Sequence, residues 1–249
     1  MSHIKRILGL SRSLAIYHGI PFRQRRLRNF YSKLASPDEL VFDLGAHAGN
    51  RTRAFEAIGC RVIALEPQPD FARLLRILFA RSTTVKVIES AASNKQGRAF
   101  LSISERTPTV TTIDAGWKKV RGLEPGFSGV QWNRPIEIET ITLDLLIQKF
   151  GIPSFIKIDV EGSEPNVLAG LNYAVRGLSF EYLPSALEHT RKCISRLNSI
   201  APYKFNWSYG ESYRFAEKFW MTSSEISKAL ETPYAQRRAG DVYARLNIP

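Results

Sequence analysis

The chain has 249 residues, 44% hydrophobic and 23% charged, the balance of a globular protein with room for one sizeable core. Its formal net charge of +12 is uneven: Lys5, Arg6, Arg12, Arg23, Arg25, Arg26, Arg28 and Lys33 all precede the first acid, Asp38, and the remainder carries only +4. No run approaches the roughly 18 apolar residues of a membrane span. Arg12 interrupts any secretory apolar stretch, and the two cysteines, Cys60 and Cys193, have neither a metal spacing nor a disulfide framework. Free thiols point to a reducing compartment, the cytoplasm.

Ile4, Ile7, Leu8, Ser11, Leu14 and Ala15 share one helical face, and Pro21 breaks that helix. Leu27, Phe30, Tyr31 and Leu34 mark a second helix. Residues 1–37 therefore read as a basic helical appendage and 38–249 as the main domain. From residue 40 onward strands and helices alternate, which predicts an α/β fold with a parallel sheet between helices. Strands are expected over 40–44, 61–65, 85–89, 97–103 (at an edge), 136–141, 154–160, 178–182, 203–209 and 241–246. Helices are expected over 52–58, 71–78, 142–150, 164–171 and 186–200, with Thr142 as an N-cap. Residues 104–134 lack periodicity, and a loop of that length in a compact domain is usually functional or disordered. Its Trp117, Phe127 and Trp132 can stack on a sugar or ring.

In such sheets ligands bind outside the carboxyl ends of the strands, so strand-ending acids carry the interest. The first strand runs into Asp43-Leu44-Gly45-Ala46-His47-Ala48-Gly49. Two glycines let backbone turn tightly against a nucleotide-like ligand, and the following helix offers its free N–H groups. The spacing departs from the dinucleotide fingerprint, and an acid at the strand end suits a ligand with a positive charge. Asp43 would order the loop and face the ligand's amino-acid end, while His47 sits within the loop. Glu66 ends the second strand 17 residues after Gly49, where an acid can accept both ribose hydroxyls. Ala91, in Glu89-Ser90-Ala91-Ala92, is small enough for a flat base to lie against backbone.

The second constellation is Ile156-Lys157-Ile158-Asp159-Val160-Glu161-Gly162-Ser163-Glu164. Alternation places Lys157, Asp159 and Glu161 on one side of a strand. Three buried charges are costly unless paired, and they make sense where a strand end opens into a polar site. Lys157 can hold Asp159 or Glu161 ionised, and that carboxylate can take a proton from a substrate hydroxyl. Glu181, at another strand end, can line the same cleft. The competing reading is an internal ion-pair network that anchors the helix beginning at Glu164.

Taken together, the Asp43–Gly49 loop, Leu65-Glu66-Pro67, Thr142-Leu143-Asp144, the Lys157–Gly162 strand and Asp241-Val242-Tyr243-Ala244-Arg245 resemble the FkbM-type S-adenosyl-L-methionine (SAM) dependent methyltransferases. The resemblance implies the class I methyltransferase sandwich, a Rossmann-like, mostly parallel seven-stranded sheet whose last strand is antiparallel. It also implies O-methylation of a hydroxyl, often on a sugar, glycolipid or polyketide. By the same resemblance the SAM site carries over to Asp43, Gly45, Ala46, His47, Gly49, Glu66, Ala91 and Asp159, and the catalytic charges to Lys157, Asp159 and Glu161. The chain departs from the family at Asn50-Arg51-Thr52, where an aromatic often follows the second glycine.

Two other classes of function compete. A nucleic-acid methyltransferase would use the basic N-terminus to track phosphates, but the nearly neutral main domain and the absence of a recognisable RNA-binding module argue against it. The other alternative is a non-catalytic SAM-binding protein; retention of both glycines, Glu66 and the charged strand argues against simple decay of the site. The expected partner is a small-molecule or glycan hydroxyl acceptor; the N-terminal helices read first as a cap on the core, with contact of residues 1–36 with an anionic membrane surface or an acidic partner as the alternatives. Paired carboxylates suit a hard divalent cation, but no metal is assigned from the sequence.

Overall fold

The computed structural model describes residues 22–104, 111–114, 116–118 and 130–247. The helix expected over 4–15 and the residue Phe127 lie outside these segments. The described elements begin with α1 (Arg23–Tyr31), β1 (Leu40–Leu44), α2 (Asn50–Ile58), β2 (Arg61–Leu65), α3 (Pro69–Leu78), β3 (Val85–Ile88) and β4 (Ala91–Ala92). They continue with β5 (Gly97–Ile103), β6 (Arg134–Ile141), α4 (Leu143–Phe150), β7 (Phe155–Ile158), α5 (Glu164–Ala169) and β8 (Gly177–Tyr182). The chain finishes with α6 (Leu187–Ile200), β9 (Tyr203–Tyr209), α7 (Ser223–Leu230) and β10 (Gly240–Leu246).

Seven strands form one sheet in the order β3-β2-β1-β7-β8-β10-β9. The pairs β1–β2, β1–β7, β2–β3 and β7–β8 are parallel, whereas β10 runs antiparallel to both β8 and β9. This matches the expected mostly parallel sheet with a reversed last strand. All five residues of β1 are buried, as they must be in a central strand covered on both faces. On one face Phe42, Ile156, Leu178 and Phe180 pack with Leu146 of α4, Leu168 of α5 and Leu197 of α6. On the other, Val41, Val62, Phe155 and Tyr243 pack with Phe55 of α2 and with Leu27, Phe30 and Tyr31 of α1. The Tyr31 and Phe55 ring centroids are 4.5 Å apart. Helix α1 is thus a layer of the sandwich and shares its core.

The strands expected over 97–103 and 136–141 do not join the main sheet. With β4 they form a separate three-stranded sheet in the order β4-β6-β5. Thr142 caps α4 as expected, its hydroxyl accepting from Leu145 N at 3.1 Å. Helix α2 begins at Asn50, earlier than its apolar spacing indicates, because Gly49 (φ 77°) takes the N-cap position. The crossovers from β1 to β2 and from β6 through α4 to β7 leave β1 between β2 and β7. A crevice opens at the carboxyl ends of these strands.

Candidate active site

A cavity of about 350 Å³ occupies this crevice. Its wall begins with the loop after β1. Gly45 adopts φ 77°, and a Cβ there would lie 1.8 Å from the Asp159 carbonyl oxygen, so only glycine lets this loop pass the end of β7. Gly49 also adopts φ 77°, a conformation that favours glycine, and a Cβ there would come within 2.7 Å of the Leu75 side chain on α3. The N–H groups of Gly45 and Ala46 both donate to Leu65 O at 2.9 Å, which ties the loop to the end of β2. His47, at φ 47°, packs its ring 3.8 Å from that of Phe71, and burial pushes its pKa down to about 3, which keeps it neutral.

Glu66 follows β2 and is buried. One carboxylate oxygen accepts from His47 N at 2.8 Å and the other from Gln68 N at 2.9 Å. Burial outweighs these two bonds and raises its pKa to about 7. Each oxygen retains lone-pair capacity for a further donor. Beside it Leu65, Ala91, Ala92, Leu101 and Ile113 give the cavity an apolar side wide enough for a flat ring, with Ser90 and Gln68 at its edge. Thr111 Oγ1 bonds Gln68 Oε1 at 3.2 Å, and Thr112 Oγ1 donates to Glu161 O at 2.7 Å. Residues 111–113 of the long aperiodic segment therefore form part of the cavity wall.

The opposite side is charged. Lys157 is fully buried and donates to Asp159 Oδ2 at 3.3 Å and Asp241 Oδ1 at 3.0 Å. Burial disfavours its charge, but the two carboxylates prevail and raise its pKa, so it remains an ammonium. Burial likewise opposes the Asp159 carboxylate, yet Lys157 and Arg51 outweigh it and hold its pKa below the usual range. Glu161 is carried into the cavity by the turn beyond β7, at φ 51°. The neighbouring Gly162 is held there by Trp117, whose ring atom Cδ2 would be 2.2 Å from any Cβ. Trp117 is consequently buried and is not open for stacking on a sugar. Glu164 accepts from Val160 N and Gly162 N at 3.1 and 3.4 Å, which fixes the turn. Carboxylate oxygens of Asp159, Glu161 and Glu181 lie within 4.8 Å of one another, a donor set that can hold a hard divalent cation.

Among the residues singled out from the sequence, Gly45, Ala46, His47, Glu66, Ala91, Asp159, Glu161 and Glu181 line this one cavity. Asp43, Gly49 and Lys157 stand behind its wall; Asp43 accepts from Thr52 Oγ1 at 2.6 Å and braces the loop from below. The cavity also takes in Asn50, Arg51, Glu211, Arg238 and Asp241, which strand-end reasoning passed over. Glu211 is clasped by Arg23 of α1 at 2.6 Å and by Arg51 at 3.0 Å, and it also bonds the Tyr213 hydroxyl. Burial opposes its charge, but Arg51, the Tyr213 hydroxyl and Arg23 hold its pKa down at about 2.

Comparison with known proteins agrees with this arrangement. Residues 43–230 match the methyltransferase FkbM domain, a span that runs from the end of β1 through the charged strand to the end of α7. The chain belongs to the FkbM methyltransferase family. Among curated relatives, the 2-O-methyltransferase NoeI of Sinorhizobium fredii is 29% identical over 150 residues, which cover 57% of this chain and 61% of NoeI. The match thus spans less than two-thirds of that relative's length. Similar solved structures include the precorrin-6y C5,15-methyltransferase of Geobacter metallireducens, 11% identical with a TM-score of 0.47, covering 89% of this chain and 86% of that one. Fibrillarin of Aeropyrum pernix, solved with natively bound SAM, is 11% identical with a TM-score of 0.44, covering 84% of this chain and 67% of its own. The sheet order of this FkbM domain, with its reversed strand β10 between β8 and β9, is that of the class I methyltransferase sandwich. No helix of the described residues is long and apolar enough to cross a membrane.

Proposed function

We propose that the protein transfers the methyl group of SAM to a hydroxyl of a sugar, glycolipid or polyketide-like small molecule. The observation that carries this reading is one cavity with two unlike sides. An apolar slot beside a buried glutamate suits an adenosine, and a carboxylate cluster across from it suits a hydroxyl about to lose its proton. In this reading Glu66 accepts from the ribose hydroxyls, and Ala91, Ala92, Leu101 and Ile113 enclose the base. Bound there, SAM would supply an electrophilic methyl on a sulfonium, whose transfer to the hydroxyl oxygen would leave a neutral thioether.

The protein's part is alignment and proton management. Asp159, with Glu161 and Glu181 within reach of the same point, accepts the hydroxyl proton. Lys157 is a positioning residue that keeps Asp159 ionised and aimed. The carboxylates also favour the cationic donor over its neutral product. The name of the NoeI relative supports oxygen as the acceptor atom.

The test is methyl transfer from labelled SAM to a panel of hydroxylated sugars, glycolipids and polyketides. Wild type should label at least one class of acceptor. Asp159→Asn should lower kcat by about 10²–10⁴ while binding of S-adenosylhomocysteine, which carries no sulfonium charge, persists. A folded protein that binds SAM yet methylates none of them would overturn the proposal.

A further inference from the structure

Two adjacent side chains at the start of α2 carry hydrogen-bond donors that nothing in the described residues accepts. Asn50 is 3% exposed, lines the cavity, and its Nδ2 is buried without an acceptor. Arg51 also lines the cavity; one terminal nitrogen is spent on Glu211, while its Nε is buried without an acceptor. Buried donors are nearly always satisfied in folded proteins, so two in succession call for a partner that arrives with a ligand. They sit at the first two positions of a nine-residue helix, where backbone N–H groups lack intrahelical partners and the helix dipole adds positive potential. Charge points the same way. Glu211 is shared by two guanidinium groups, Arg23 and Arg51, so this corner keeps a net positive charge beside an otherwise acid-rich wall.

We infer that Asn50 and Arg51 form a carboxylate-binding subsite that takes the methionine carboxylate of the cofactor, a step that rests on the SAM reading above. The ligand's other ends are accounted for differently: the adenosine belongs at Glu66 and the apolar slot, and the sulfonium belongs toward Asp159. The carboxylate is the one anionic part of the molecule, and of the two arginines that line the cavity, Arg51 and Arg238, Arg51 is the one with a buried donor left without an acceptor, next to that of Asn50. Arg23 and Glu211 act through Arg51, so α1 helps to set the subsite although it does not line it.

The experiment is calorimetric titration of wild type, Asn50→Asp and Arg51→Gln with two ligands, S-adenosylhomocysteine and 5′-methylthioadenosine. The first carries the amino-acid tail and the second lacks it. Asn50→Asp is nearly isosteric and keeps a good helix-start residue, so it tests the donor without opening a gap. The subsite predicts that each variant weakens S-adenosylhomocysteine by about 10-fold or more, the scale of a lost hydrogen bond to a charged group. Binding of 5′-methylthioadenosine should stay within about two-fold of wild type, because that ligand never reaches the corner. Equal weakening of both ligands, or of neither, in variants whose melting curves are intact overturns the subsite and leaves the SAM reading standing. A folded wild type that binds neither ligand overturns both.

Discussion

Glu66 is proposed to serve the ligand at the expense of the unliganded fold, and Glu66→Gln makes that trade measurable. The carboxyl is buried, and its pKa rises from 4.5 to about 7 in the folded protein. Between those two values the folded state holds this proton more tightly than the unfolded chain does. Stability therefore falls as pH rises through the window, the reverse of a salt-bridged carboxylate. Integrating the linkage from pH 5 to pH 8 gives a loss of about 2.5 kcal/mol attributable to this group. Glutamine keeps the shape but does not ionise, so it escapes the loss. It faces one of the two N–H donors, from His47 or Gln68, with an amide nitrogen, at a cost of about 1–3 kcal/mol that does not vary with pH. The readout is therefore the pH dependence of the difference. Melting curves of unliganded wild type and Glu66→Gln should diverge in the variant's favour by about 5–10 °C from pH 5 to pH 8. At pH 8 the variant should bind SAM more weakly by about 10-fold or more, because a neutral amide replaces a charged acceptor of ribose hydroxyls, and the gap should close toward pH 5, where the wild-type carboxyl is itself protonated. In wild type SAM affinity should decline below pH 7. Parallel melting profiles would mean that Glu66 titrates normally and would refute the reasoning.

Four further outcomes follow from the same geometry. Lys157→Met leaves the half-buried Asp159 and Asp241 beside each other without their shared cation and should destabilise by about 1–3 kcal/mol, below the full cost of breaking a wholly buried pair, measured by denaturant unfolding; adding Asp241→Asn should recover part of it. Gly45→Ala drives a methyl into the Asp159 carbonyl and should destabilise by well over the ~1 kcal/mol typical of point substitutions, with SAM binding lost; an unaffected melting temperature would contradict the close approach of the loop to β7. Phe30→Ala, on α1, should cost about 3–5 kcal/mol, as for any core aromatic, whereas a detachable appendage would tolerate it with no change in melting temperature. Gly162→Ala should displace Trp117 and misplace Glu161, lowering kcat on the identified acceptor far more than it changes SAM affinity.

The sequence reveals most of the main sheet because its strands are short apolar runs punctuated by glycine, proline and acids. β9 spans the same residues in both readings, and β1 and β2 likewise. Alternation in 97–103 and 136–141 identified β5 and β6 as strands, but periodicity carries no record of which sheet a strand joins. Helix α7 went unread although Thr222 and Glu225 spell out the capping box that opens it. Within the site, attention to acids that end strands brought forward Glu66, Asp159 and Glu181. The same rule hid Asp241, because β10 is reversed: its first residues, not its last, lie at the carboxyl ends of its neighbours, with Gly240 opposite Tyr182. Glu211 and its two arginines were unreadable for another reason. The contacts join positions 160 and 188 residues apart, and nothing local marks them. Trp117 looked like a platform for a sugar and proved to be the wedge that holds Gly162, a role set by a contact far along the chain.

The central claim is that this cavity binds SAM through Glu66. Calorimetric titration of the wild-type protein with SAM, beside Glu66→Ala, tests it most directly. The account predicts saturable one-to-one binding by wild type and a loss of about 10-fold or more in the variant. A well-folded wild type that releases no heat with SAM, or a variant that binds it as tightly, would contradict the account.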